Sequence, residues 1–154
     1  MKVYIDTEFT QLSLERKLIS LALVSDSDQE FYVEISDTWA ELDCSDFVKE
    51  VVLPQLDLDT HGLSFIQARA VLREFLASLG VCEIVGDALK WDWPLFLELL
   101  GPSGLPDNII GCCEIDPEGL DDEQLPLEPP HHALLDARML RDMCAVSRVS
   151  GKLR

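Results

Sequence analysis

The sequence predicts an α/β domain: a mixed β-sheet, built from an antiparallel meander of three strands plus parallel strands, flanked by helices. Three observations lead there. Three short β-type runs follow one another near the N-terminus with brief polar links, as expected of strands that pair antiparallel. From Ser64 onward helical and strand-like stretches alternate, as expected of parallel strands joined through helices. The 154 residues, 47% of them hydrophobic, suit one domain over residues 1–154 with a continuous core.

Lys2 to Asp6 is the first strand, with Lys17 to Ser25 and Glu30 to Ile35 next, the last two separated by the turn-forming stretch "SDSDQ". Ser45 to Leu53 reads as a short helix, N-capped by Ser45 or Asp46 and ended by Pro54. Between Ser64 and Leu79 the apolar residues Phe65, Ala68, Leu72, Phe75 and Leu79 recur at steps of three and four, which is a core-facing helix stopped at Gly80. Val81 to Asp87 is a buried-strand candidate, Trp93 to Leu100 a helix ended by Gly101, and Asn108 to Ile115 a further strand. Asp116 to Pro130 contains Pro117, Gly119, Pro126, Pro129 and Pro130 and predicts an irregular loop. The last helix is expected to begin around His132.

Composition excludes several classes. Met1 leads straight into a strand-like stretch, with no basic n-region and no apolar run of about 18 residues, so a soluble cytoplasmic protein without a membrane partner is expected. The five cysteines (Cys44, Cys82, Cys112, Cys113, Cys144) have no C-x-x-C spacing, which argues against a zinc cluster or a disulfide framework and for packing as small hydrophobes. A net charge of -17 argues against broad binding of long duplex nucleic acid, unless bound cations reverse the local sign. The charge is also uneven: Glu114 to Glu128 carries seven acids and no base, whereas Arg138 to Arg154 carries five bases and one acid.

Three constellations carry chemistry. Asp6 and Glu8 in "VYIDTEF" are two apart on a strand, so both side chains point to one face and can share hard cations. Asp92 in "GDALKWDWPLF" lies between Trp91 and Trp93 and ahead of Pro94, where an aspartate also serves as a plain N-cap. Asp136 in "HHALLDARML" interrupts an apolar helical stripe, so it wants either a metal or a base such as Arg138 or Lys90. Each is ordinary alone. Their order along the chain, with a histidine five residues before the last, is rare.

That ordered set resembles the DEDDh 3′–5′ exonucleases of the ribonuclease H-like superfamily over nearly the whole chain, most specifically in "HHALLDA", which matches H-x-A-x-x-D. In "YIDTEFT" and "FVKEVVLPQL" it looks more like the small bacterial exoribonuclease branch than a polymerase subunit. The second motif departs from the pattern, with Asp87 where many members carry asparagine or histidine. The resemblance implies two divalent cations, Mg²⁺ or Mn²⁺, held by Asp6, Glu8, Asp92 and Asp136, with His131 as general base and release of nucleoside 5′-monophosphates. This fits hard cations with oxygen ligands and a base titrating near neutrality. It implies nucleic-acid 3′ ends as partners, with RNA favoured over DNA. A homodimer is common among similar small exonucleases, though no exposed apolar stripe in this sequence demonstrates one.

Phe9, Thr10, Leu12 and Trp91 lie beside the metal motifs as candidate substrate contacts, with core packing as the alternative for the apolar ones. Lys90, Arg138 and Arg141 are the bases best placed for phosphate, or else are solvated surface charges. Of the adjacent histidines, helical spacing would select His132, four residues before Asp136, whereas family spacing selects His131, left outside the helix by Pro129 and Pro130. Two other functions remain open from the residues: a non-catalytic acidic binding module that mimics nucleic acid, and a carboxylate-metal phosphohydrolase of small phosphoesters.

Overall fold

A computed structural model describes residues 1–116 and 128–152, the last six of these by backbone alone. Six strands form one mixed sheet: β1 (Lys2–Phe9), β2 (Leu18–Ser25), β3 (Glu30–Ile35), β4 (Gly62–Leu63), β5 (Cys82–Gly86) and β6 (Ile109–Glu114), in the spatial order β4-β3-β2-β1-β5-β6. The β1–β2 and β2–β3 pairs are antiparallel, and β1–β5, β5–β6 and β3–β4 are parallel. The meander and the parallel extension are therefore present as expected, and the sheet is flanked by α2 (Phe65–Ser78), α3 (Leu89–Leu100) and α4 (Ala133–Lys152), with a single-turn α1 (Leu58–His61) before β4.

Helices on both faces explain why all eight residues of β2 are buried. Ala68, Leu72 and Leu76 of α2 and Leu95, Phe96 and Leu99 of α3 pack with Val3, Ile5, Leu21, Leu23 and Val33 on one face. On the other face α4 approaches through small residues, Ala133 and Ala137, against Ala22 and Val24, while Leu140 meets Tyr4 and Val85. Alternation along β1 thus sends Tyr4, Asp6 and Glu8 toward α4.

Four expectations shift. The first strand continues past Asp6 to Phe9, so both carboxylates of the D-x-E motif are within it. The stretch expected as a helix over Ser45–Leu53 is irregular, with a π turn over Val48–Val52 and a 3₁₀ turn over Leu53–Gln55, because Pro54 removes a ladder donor and crowds the preceding turn. Ser45 nevertheless acts as its cap, its hydroxyl accepting from Val48 N at 3.3 Å. The third helix starts at Leu89 rather than Trp93, with Pro94 inside it, so Asp92 is in its first turn and is not its N-cap. Leu89 N instead donates to Glu114 Oε1 of β6 at 3.1 Å. Finally, Cys44 and Cys82 are buried but Cys112 and Cys113 are exposed on edge strand β6, so those two do not pack as core residues.

The last helix begins at Ala133, one residue beyond the expected start. The central part of the expected loop, 117–127, lies outside the described residues, as do the side chains of Arg148, Lys152 and Arg154 in the basic C-terminal stretch. Among the described residues no helix is long and apolar enough to cross a membrane.

Candidate metal centre

The β1–β5 ladder ends with Tyr4 opposite Val85, and beyond it the two strands part at their carboxyl ends. Such a crevice is where open α/β sheets bind ligands. Gly86 lets α3 close in at this point: a Cβ there would come within 2.7 Å of Leu89 Cδ2 and 3.2 Å of Ile5 Cγ2. The first turn of α3 therefore packs against the end of β5 and brings Asp87 and Asp92 beside Asp6 of β1.

Two ligand sets result. Asp6, Asp87 and Asp92 each offer an oxygen, all within 4.8 Å of one another, and Glu8, His131 and Asp136 form a second set on the same criterion. Both line one cavity of about 630 Å³. The structure thus gathers all five residues expected to be catalytic, and adds Asp87. Asp92 is 2% exposed, and its Oδ1 accepts a 2.6 Å hydrogen bond from the Thr7 hydroxyl. Its Oδ2, like Asp6 Oδ2 and Asp136 Oδ1, is buried with no hydrogen-bond partner. Orphaned buried carboxylate oxygens are costly, and a hard cation satisfies them.

The electrostatics agree. Burial holds Asp6 well above the usual carboxylate range, and Asp92, Glu8, Asp136 and Asp87 push it further. Burial, with Asp136 beside it, lifts Glu8 to about 8. Burial also lifts Asp92 to about 7 against the Thr7 hydrogen bond, and Asp136 to about 6 against a hydrogen bond with Glu8. Glu8 and Asp136 disfavour each other's ionisation, a repulsion that a bound cation would offset. The donor set of carboxylate oxygens and one imidazole fits Mg²⁺ or Mn²⁺.

His131 lies ahead of α4 with φ +54°, in the left-handed region, and its ring meets Phe47 edge-on at 4.9 Å. Gln55 Nε2 donates to Pro130 O at 2.8 Å and to His131 O at 3.4 Å, tying this segment to the 3₁₀ turn. His132 turns elsewhere: its Nε2 is 3.2 Å from the Tyr32 hydroxyl, which donates to buried Glu34 at 2.5 Å. Burial lowers the His132 pKa.

The rest of the cavity lining is largely apolar and includes Phe9, Leu12, Phe47, Trp91, Met139 and Met143. Phe9 and Trp91 stack at 5.9 Å with planes 21° apart. Arg16, which sequence reasoning missed, lies 5.0 Å from the Trp91 ring and 5.7 Å from that of Phe9, and donates to Trp91 O at 3.1 Å. Four expected substrate contacts lie elsewhere. Thr10 is fully buried, its hydroxyl accepting from Lys17 N at 3.0 Å. Arg138 is committed to Glu30 through bonds of 2.5 and 2.8 Å. Lys90 is exposed, 5.5 Å from the Trp91 ring and outside the cavity lining. Arg141 likewise pairs with Asp28 at 2.8 Å. Arg138 and Arg141 are satisfied by acids distant in sequence, which spacing does not reveal.

Neither a scan against protein-family models nor a comparison with curated proteins finds a match to this chain.

Proposed function

We propose that the chain is a cation-dependent 3′→5′ exonuclease of the DEDDh type on a ribonuclease H-like sheet, acting on short or single-stranded 3′ ends and releasing nucleoside 5′-monophosphates. One observation carries the reading: Asp6 with Asp92, and Glu8 with Asp136 and His131, form two ligand sets on one cavity whose lining is also aromatic and aliphatic. The sheet order supports it, with β1 central, the meander on one side and the parallel strands on the other.

Asp6 and Asp92 would hold one cation, and Glu8 and Asp136 the other. Bound divalent cations supply positive charge at the attacking and leaving oxygens of an in-line displacement at phosphorus. His131, held outside the helix, takes the proton of the attacking water. Phe9, Leu12 and Trp91 offer a face for the terminal bases, an interaction that tolerates any base. Among the described residues no lysine or arginine lines the cavity, whose size suits a small ligand rather than a duplex. That favours short ends, with RNA preferred over DNA on the resemblance alone.

The test is stepwise shortening of a 5′-labelled single-stranded oligonucleotide, with mononucleotides released from its 3′ end, with Mg²⁺, with Mn²⁺ and in excess chelator. Activity that persists in chelator overturns the reading. The lack of basic lining also favours a second reading, hydrolysis of small phosphoesters or nucleotides, which the same assay separates by an intact oligonucleotide alongside a cleaved chromogenic phosphodiester.

A further inference from the structure

The Asp6–Asp87–Asp92 set is unlike its neighbour, having three carboxylates and no imidazole. Asp87 is the residue immediately after β5, carried toward Asp6 by the close packing that Gly86 permits. Oxygen ligands lie about 2.0–2.6 Å from Mg²⁺ or Ca²⁺, so ligands on opposite sides of one ion are roughly 4–5 Å apart. A mutual separation within 4.8 Å therefore meets the spacing that one ion bridges. An independent feature points the same way. Asp92 is 2% exposed, its Oδ1 is taken by Thr7, and its Oδ2 is buried without a partner on the cavity wall. The nearby guanidinium of Arg16 favours ionised Asp92 through its charge but makes no hydrogen bond to this oxygen, its Nη atoms donating to the carbonyl oxygens of Ser13 and Trp91.

We propose that Asp87 is a direct ligand, with Asp6 and Asp92, of a divalent cation, and that this all-carboxylate set is the tighter of the two cation positions. The inference rests on the two-cation reading above and adds to it a fifth acid and an order of filling. More ligand charge at one site raises affinity for a hard cation, so the position with three carboxylates fills first, and the Glu8–Asp136 position fills at higher concentration.

Calorimetric titration of the chelator-stripped protein with MnCl₂ and with MgCl₂ reads this without any turnover. The parent is expected to bind in two resolved phases. Asp87→Asn is expected to weaken the tighter phase on the order of 10-fold or more, since even outer partners of metal ligands are worth 10- to 100-fold. Glu114→Gln removes another acid close to Asp87 while keeping the acceptor for Leu89 N, and is expected to change affinity by less than about twofold. Equal losses in the two variants would make Asp87 a diffuse charge and overturn the proposal. So would an unchanged tight phase in Asp87→Asn, with the two-cation reading left standing; a parent that binds neither cation overturns both. Asp87→Ala, at an exposed position, repeats the measurement if the asparagine variant fails to fold.

Discussion

Asp92→Asn should make the cation-free protein more stable at alkaline pH while reducing its stabilisation by cations. Asp92 is raised from 3.8 to about 7 in the folded chain, chiefly by burial. Between those values the folded state keeps a proton that the unfolded state has lost, so stability falls as pH rises through this window. The contribution is fully present below about pH 4 and gone above about pH 7. Three units at 1.36 kcal/mol each set a ceiling of about 4 kcal/mol. Because Asp92 is only 2% exposed, little of this is screened by solvent. Asparagine keeps the acceptor for the Thr7 hydroxyl and carries no charge, but places amide donors where Oδ2 finds no partner, at a cost of about 1 kcal/mol or more. The net gain is about 1–3 kcal/mol at pH 8, or roughly 2–10 °C for a domain of this size. Melting both proteins in chelator at pH 4.5 and pH 8, then with Mn²⁺, gives the answer. The parent should lose its deficit when Mn²⁺ is added, and the variant should gain less, and only at the higher Mn²⁺ concentrations that fill the Glu8–Asp136 position. A variant that melts at or below the parent in chelator at pH 8 would refute the repulsive, cation-seeking character of this cluster.

His131→Ala should lower kcat by on the order of 10²-fold, the usual worth of a positioned base, and His132→Ala by less; a reversed ranking in single-turnover assays with matched melting curves would reassign the base. Arg138→Ala should leave kcat/KM on a labelled oligonucleotide unchanged, because its guanidinium is held by Glu30 away from the cavity, and should cost no more than about 1 kcal/mol in denaturant melts. Gln55→Ala should lower kcat several-fold with Mn²⁺ affinity intact, since it releases the backbone that carries His131 and touches none of the carboxylates; an equal loss of cation affinity in the calorimeter would contradict this.

The most legible parts of fold and site were those set by local periodicity. Strand alternation places Asp6 and Glu8 on one face, and the helical stripe marks Asp136 as an acid without an apolar role. The apolar faces of α2 and α4 follow from the same kind of periodicity. What was not legible depends on contacts distant in sequence. The start of α3 at Leu89 is not legible because its first N–H is capped by Glu114, 25 residues away on another strand. Asp87 became part of the site only through the close packing at Gly86, and Arg138 left it because Glu30, 108 residues earlier, faces it across the sheet. The turn α1 and the two-residue β4 are too short to carry a period.

The histidine pair shows how strain resolves an ambiguity that spacing leaves open. On a regular helix His132 would share a face with Asp136, yet the helix begins one residue too late for its ring to be carried there. Extended backbone ahead of the helix is what Pro129 and Pro130 favour. The chain then reaches α4 through one left-handed residue, His131, at a cost of roughly 1–2 kcal/mol for a residue with a side chain. That single φ reversal turns the His131 ring toward Glu8 and Asp136 and leaves His132 facing Tyr32. The cost is offset by Gln55 on the backbone, by Phe47 on the ring, and by the bond from Asp136 N to His132 O that opens the helix. An imidazole held this way is aimed by the backbone rather than by helical register, so the same turn that strains the chain fixes the direction from which a proton can be taken.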